Sequence, residues 1–133
     1  MLEEFTRSAM AQAHGVANIP SREHERNIEE MVRELLDPLR EMWGSPLRVT
    51  SGYRCPELNM LVGGAADSMH MSGKAADITA GSRSANSSLM DMILGSGLEF
   101  DQLIEENDFS WLHISYSRGG NRRQVLSLKG NGR

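Results

Sequence analysis

The sequence predicts a single α+β domain in which a small antiparallel sheet is backed by helices. Three observations support this class. The chain has 133 residues, which suits one domain with one core. Its apolar and charged contents, 39% and 24%, are those of a folded globular protein. Helical patterns come first along the chain, and short strand-like segments are concentrated after them.

The clearest helical pattern follows Ser21, whose hydroxyl can cap a helix. Apolar residues then recur at three- and four-residue steps, which is typical of an amphipathic helix packed on a core. They are Ile28, Met31, Val32, Leu35, Leu39 and Met42. Pro38 is expected to kink or break this helix near Asp37, because proline lacks the backbone N–H. Two later helices are predicted over residues 56–62 and 84–94.

Strand-like segments are short and lie mainly in the second half of the chain. They cover residues 47–50, 74–79, 100–105, 111–116 and 123–128. In the fourth segment, alternation puts Trp111, His113 and Ser115 on one face and Leu112 and Ile114 on the other. The second face is the better core face. His113 is therefore expected to point into a cleft floored by the sheet, with Trp111 as a possible wall of that cleft.

Charge and cysteine content narrow the function classes. The net charge of −4 argues against a nucleic-acid partner, which usually requires a basic excess. The single cysteine, Cys55, excludes an internal disulfide. The basic residues near the C-terminus are expected to form a solvated tail from about residue 129, at the end of one domain that spans residues 1–133.

Targeting signals are not evident in the sequence. The N-terminus lacks the basic start and apolar run of a signal peptide, and no segment is long and apolar enough for membrane insertion. The protein is therefore expected to be made in the cytoplasm. The sequence leaves the oligomeric state open.

Two histidines and one aspartate form the strongest candidate for chemistry. Asp77 lies in an apolar strand, where a carboxylate is costly unless it is paired or bound to a metal. Together with His70 and His113 it would make the ligand set of a catalytic zinc site, which keeps a fourth position for water. No HExxH motif is present. The spacing alone leaves open a buried Asp77 that is held by backbone donors or an arginine.

Four segments together resemble the zinc D-alanyl-D-alanine carboxypeptidase family of peptidoglycan metallopeptidases. The closest likeness is to its short single-domain members, often encoded by phages or prophages, and it runs from about residue 5 to residue 128. The segments are Ser51-Gly52-Tyr53-Arg54-Cys55-Pro56, Val62-Gly63-Gly64, Ser68-x-His70-x-x-Gly73-x-Ala75-x-Asp77-Ile78 and Trp111-x-His113-x-Ser115.

The resemblance implies a fold like that of the hedgehog and D-Ala-D-Ala peptidases. It implies one Zn²⁺ per chain, with His70, Asp77 and His113 as its ligands. It also implies that Arg54 binds substrate and helps to stabilise the developing oxyanion, since an arginine fork suits a carboxylate or a carbonyl. Ser68 is expected to line the site by hydrogen bonding.

The general base is the least determined part of the site. Several family members carry an acidic residue three positions before the last zinc histidine, and that position here is Ser110. In the short members an acidic residue follows an Asp-Gln-Leu-Ile run, which favours Glu105 as the base. Glu106 and Asp108 are weaker alternatives, and strand alternation places Glu105 and Glu106 on opposite faces.

The expected activity is the zinc-dependent hydrolysis of peptide bonds in peptidoglycan stem or cross-link peptides. The motifs do not distinguish a D-Ala-type carboxypeptidase from an endopeptidase. Ser110 favours an alternative, a catalytically inactive murein-binding or phage structural module of the same fold. Because no export signal is evident, action on the cell wall would depend on delivery by a holin, a phage particle or lysis.

Overall fold

The computed structural model describes residues 2–128, so the predicted basic tail lies outside the described residues. The helices are α1 (Leu2–Thr6), α2 (Ala9–Ala13), α3 (Arg22–Met31), α4 (Asp37–Trp43), α5 (Pro56–Leu61) and α6 (Arg83–Gly95). The strands are β1 (Arg48–Ser51), β2 (Ala75–Thr79), β3 (Gln102–Glu106), β4 (Trp111–Ser115) and β5 (Gln124–Leu128). No helix within this part of the chain combines the length and the apolar character needed to cross a membrane.

The five strands form one sheet in the order β1-β2-β4-β3-β5. This arrangement confirms the α+β class, but the prediction of a wholly antiparallel sheet is wrong, because β5 runs parallel to β3. The reason lies at Asp101, where the end of β4 and the start of β5 meet the start of β3. The amide of Asp101 donates to Ser115, and the amide of Gln124 donates to Asp101. The chain leaves β4 at this end of the sheet, so β5 begins beside the start of β3 and runs parallel to it.

One face of the sheet packs on the helices and forms the core. Leu112 and Ile114 of β4 are buried there, as alternation predicted. They meet apolar residues from three helices and the π-helical segment described below, among them Ile28, Leu35, Leu39, Leu89 and Ile93. The opposite face carries His113, so the sheet itself separates the core from the candidate site.

The long helical stretch begins at Ser21 as predicted, because the Ser21 hydroxyl accepts from the His24 amide at 3.2 Å. The stretch is not broken at Pro38. Instead it passes through a π-helical segment, Val32–Leu36, in which the Asp37 amide donates to the Val32 carbonyl five residues back. The wider turn accommodates the proline ring and its missing N–H, so α4 continues from α3 without a break.

Asn86 of α6 joins this helix to the loop after β2 and to the turn after β3. It is fully buried, its Oδ1 accepts from the Ala80 amide at 2.6 Å, and its Nδ2 donates to the Phe109 carbonyl at 2.9 Å. We expect Asn86→Ala to lower the free energy of unfolding by about 2–4 kcal/mol, since buried backbone groups lose their partners. Urea unfolding measures this effect. Ser88→Ala, at an exposed position of the same helix, is the control and should change little.

Asp101 and Arg122 join the start of β3 to the segment before β5. The Asp101 carboxylate accepts from Arg122 Nε at 2.8 Å and from the Arg122 amide at 3.1 Å. Hydrogen bonding to Arg122 holds the pKa of Asp101 below its ordinary value. A lowered folded-state pKa contributes stability above the unfolded pKa, and this contribution is lost as the pH falls through the folded value.

We therefore expect Asp101→Asn to be less stable than the wild type near pH 7 and equal to it well below about pH 4, where the wild-type carboxyl is protonated too. Urea unfolding across this pH range checks the expectation. Asp91→Asn, on the exposed side of α6, serves as the control. A stability difference that stays constant from pH 7 to pH 2 would contradict the role of the Asp101 charge.

Candidate metal centre

His70, Asp77 and His113 meet on the face of the sheet opposite the core. Asp77 in β2 and His113 in β4 are direct cross-strand partners, so their side chains project from the same face. His70 lies in the 3₁₀ turn Met69–Ser72, just before β2 begins. All three are buried, with exposed fractions of 1%, 4% and 9% for His70, Asp77 and His113. The structure therefore brings together the three predicted ligands.

Asp77 lies at the distance from each histidine that a tetrahedral metal site requires. Asp77 Oδ1 lies 3.4 Å from His70 Nε2 and 3.2 Å from His113 Nδ1. Two ligand atoms on zinc, each about 2.0–2.1 Å from the ion, are about 3.3–3.4 Å apart in a tetrahedral arrangement. All three donor atoms lie within 4.8 Å of one another. A single small divalent ion can thus be shared by all three side chains.

The turn that presents His70 is fixed at both ends. Ser68 caps it, because its hydroxyl accepts from the His70 amide at 3.2 Å. Gly73 ends it with φ = 76°, a left-handed conformation that favours glycine. A Cβ at Gly73 would also lie 2.5 Å from the His24 carbonyl oxygen, so the turn packs directly on α3. Gly73 therefore allows the tight turn that joins His70 to β2.

Gly52 is a further part of the site, and sequence reasoning gave it no role. Its carbonyl oxygen lies 2.7 Å from His70 Nδ1. A Cβ at Gly52 would lie 2.6 Å from the backbone of Phe5, so only glycine allows α1 to pack against this turn. The signal was present in the Ser-Gly-Tyr-Arg motif, but nothing in the sequence indicated which group the glycine carbonyl would meet.

The bond to Gly52 determines the state of the His70 ring. A carbonyl oxygen only accepts, so Nδ1 carries the proton and a neutral ring has its lone pair on Nε2. That nitrogen is buried, has no hydrogen-bond partner and faces the Asp77 carboxylate. A lone pair facing a carboxylate is repulsive unless a positive charge lies between them. A metal cation, or a second proton on the buried ring, must supply that charge.

Burial decides between these two sources of charge. Loss of solvent lowers the pKa of His70 below its ordinary value, which disfavours the doubly protonated ring. Burial alone would raise the pKa of Asp77, but the two imidazoles beside it, His70 and His113, outweigh burial and hold the pKa below its usual range. A neutral imidazole and an ionised carboxylate are the forms that bind metals. The donor set and the spacing to Asp77 fit Zn²⁺, whose binding would replace the proton that His113 Nδ1 donates to Asp77.

The metal centre lies between two grooves. The first groove, with a volume of about 900 Å³, is formed by α1, α2 and β1, and Asp77 and Trp111 line it. The second groove, of about 470 Å³, is formed by the loop after α5, by β3 and by residues before β5, and Ser68 and His113 line it. Arg54 lines both grooves.

The predicted substrate-binding residues therefore all lie beside the metal centre. Arg54 is 5% exposed, and its amide donates to the His70 carbonyl at 3.1 Å, which anchors its backbone to the ligand turn. Its guanidinium lies 3.5 Å from the Ser68 hydroxyl. Trp111 is the half-buried wall of the first groove, consistent with its predicted place beside His113.

Glu105, the preferred base, lies on the wrong face of the sheet. In the register of β3 and β4, Glu105 pairs with Leu112, whose side chain lies in the core. Glu105 is buried, with one carboxylate oxygen accepting from the Phe109 amide at 3.3 Å and the other from the Ser127 hydroxyl. It therefore braces the turn after β3, and the prediction that it points at the metal must be corrected.

Glu106 is the acidic residue that the structure places on the side of His113. It pairs with Trp111, and its neighbour two positions back, Ile104, pairs with His113. Glu106 is 3% exposed and lines the second groove together with His113. Asp108, the other alternative, is exposed and lines neither groove.

A strained turn joins Glu106 to Trp111. Asn107, Asp108 and Phe109 all have φ between 51° and 61°, a left-handed conformation that costs non-glycine residues roughly 1–2 kcal/mol each. Bonds to Glu105 and Asn86 hold this turn in place. The turn fixes the end of β3, which carries Glu106, and the start of β4, which carries Trp111.

The buried His-Asp-His cluster can hold a metal ion, and it lies in an open cleft with Glu106 on the same side, as in metal-dependent hydrolases. Comparison with family models then identifies the family. The model described as Peptidase M15 matches residues 1–115, so the chain belongs to the M15 peptidases, which are zinc-dependent metallopeptidases. The resemblance found in the sequence is confirmed. A search of curated proteins found no matching relative.

Proposed function

We propose that this protein hydrolyses peptide bonds in peptidoglycan stem or cross-link peptides with one Zn²⁺ held by His70, Asp77 and His113. The observation that carries the metal assignment is the His70 lone pair, which is fixed by Gly52 and directed at the Asp77 carboxylate. Membership of the M15 peptidases supports a peptide as the substrate. The wall peptide is the more specific part of the proposal, and it rests on the resemblance to phage-type members of the family.

The chain supplies three further functions around the metal. A zinc ion held by His70, Asp77 and His113 would supply a water molecule of lowered pKa and a positive charge beside the scissile carbonyl. Glu106 accepts a proton from the attacking water and delivers it to the nitrogen of the leaving amine. Arg54 lies between the grooves and binds a carbonyl or carboxylate of the peptide. Trp111 packs on an apolar part of the peptide.

Mass spectrometry of defined muropeptides tests the proposal. We expect the zinc-loaded protein to release new peptide fragments, a strong chelator to stop their release and added Zn²⁺ to restore it. A folded protein that takes up no zinc would contradict the metal assignment. A zinc-loaded protein that cleaves other peptides but no muropeptide would retain the peptidase assignment and exclude the wall substrate.

The inactive murein-binding or structural module is the second candidate. The observation in its favour is Ser110, which stands where other members carry an acidic residue and whose hydroxyl bonds within its own turn to the Asn107 carbonyl at 2.6 Å. Glu106 supplies an acidic residue to the same face from the adjoining strand, which favours the active enzyme. Muropeptide binding without any cleavage at full zinc occupancy would favour the module instead.

A further inference from the structure

Asn18 joins three segments of backbone through its side chain. It lies half-buried in the irregular loop between α2 and α3. Its Nδ2 donates to the Tyr53 carbonyl at 2.8 Å and to the Thr6 carbonyl at 3.1 Å. Its Oδ1 accepts from the Cys55 amide at 2.8 Å. Both hydrogens of the side-chain amide and its oxygen are therefore bonded to backbone outside the loop of Asn18.

Two of these bonds lie on either side of Arg54. The chain at Arg54 belongs to no strand or helix, so no sheet neighbour holds its backbone. The peptide unit before Arg54 is held at both ends, because its carbonyl, that of Tyr53, accepts from Asn18 and its N–H donates to the His70 carbonyl. The peptide unit after Arg54 is held through the Cys55 amide. Fixing both peptide planes fixes the direction in which the Arg54 side chain leaves the backbone.

The direction of this side chain matters because Arg54 lies between the two grooves. Its guanidinium is 3.5 Å from the Ser68 hydroxyl, and the residue lines both grooves. A guanidinium binds a carboxylate or a carbonyl through donors in a fixed planar fork, so its position and its tilt both affect the contact. A misplacement of about 1 Å at a reacting site can cost about 100-fold in rate.

We propose that Asn18 is a positioning residue, which holds the backbone on both sides of Arg54 and so fixes the guanidinium between the grooves. This inference rests on the role of Arg54 in the proposed function. Asn18 itself lines neither groove, so it acts through Arg54 and not on the peptide. Asn18→Ala should lower kcat/KM about 10- to 100-fold at unchanged zinc content, and should shift kcat and KM in the same directions as Arg54→Ala does.

A double-mutant cycle with Arg54 separates positioning from a general structural role. In an Arg54→Ala background, Asn18→Ala should lower kcat/KM by less than about twofold further, because the guanidinium that it positions is gone. Ser96→Ala is the control, since it removes bonds to the Ile93 carbonyl and the Leu98 amide outside both grooves. It should lower stability and leave kcat/KM unchanged. Losses at Asn18 and Arg54 that multiply, or an equal loss in the control, overturn the proposal.

The mobility of the Arg54 guanidinium tests the proposal without turnover. Nitrogen-15 relaxation of its Nε–H signal, identified by its absence in Arg54→Lys, is measured on zinc-loaded protein. The order parameter should fall below about 0.6 in Asn18→Ala and keep the wild-type value in Ser96→Ala. Asn18→Asp, which keeps an acceptor for the Cys55 amide and loses both donors, should show the same fall and replaces the alanine variant if that variant does not fold.

The two measurements separate this inference from the proposed function. An Arg54 signal that is unchanged in the folded Asn18 variants overturns the positioning role, whatever the activity of the protein. A signal that loosens in these variants, in a protein whose zinc-loaded wild type cleaves no muropeptide, supports the positioning role and contradicts the proposed function alone.

Discussion

Asp77→Asn is expected to lower the affinity for zinc at least about 100-fold and to reduce peptide hydrolysis at subsaturating zinc by a similar factor. Asp77 Oδ1 is the atom nearest to both imidazoles, and it supplies the only negative charge among the three ligands. Asparagine keeps the shape of the side chain and removes that charge. Metal content after dialysis, together with competition against a chelator of known affinity, measures the change.

Asp91→Asn on the exposed face of α6 is the matched control and should bind zinc like the wild type. His113→Gln removes a different ligand and should cause a comparable loss of zinc affinity. A loss in both variants would show that the effect of Asp77→Asn comes from the metal centre and not from a change in the fold. Circular dichroism confirms that each variant is folded. A folded Asp77→Asn protein that retains one tightly held zinc per chain would show that the ion is bound elsewhere.

Glu106→Gln is expected to lower kcat by about 10²- to 10⁴-fold while the zinc content stays at one per chain. Glutamine fits the same place beside His113, but it cannot accept and return a proton. The acidic limb of the pH–rate profile, which reports the ionisation of the base, should disappear with the turnover. Steady-state kinetics on a defined muropeptide, with metal analysis of the same samples, checks both expectations.

Glu105→Gln is the matched control for this experiment. It makes the same chemical change one residue earlier, on the core side of the sheet, so turnover should be largely retained. Stability should fall by about 1 kcal/mol, because the bonds to Phe109 and Ser127 lose their charge. The opposite result, in which Glu105→Gln abolishes turnover and Glu106→Gln retains it, would show that Glu105 and not Glu106 is the base.

The three residues of the candidate metal centre could be predicted from the sequence because each has a local signal. His70 and Asp77 lie in one short motif, and the alternation of β4 showed that His113 points away from Leu112 and Ile114. All five strand segments were predicted at nearly their observed positions. These features depend on neighbours along the chain, which a sequence displays directly.

The acidic residue on the side of His113 could not be predicted in the same way. Alternation separated Glu105 from Glu106, but the choice between them depends on the register in which β3 pairs with β4. A shift of one residue would exchange the two faces, and no local pattern fixes such a pairing. The parallel direction of β5 depends likewise on contacts between distant parts of the chain.

Asp77 and His113 lie on β2 and β4, strands that have hydrogen-bonded neighbours on both sides. Backbone in the middle of a sheet opens rarely, in contrast to fraying edges and mobile loops. The coordination geometry is thus preorganised by the scaffold, and ion capture requires little ordering of the chain. We therefore expect the sheet to stay folded when the ion leaves, while the bound ion adds to the stability of the fold.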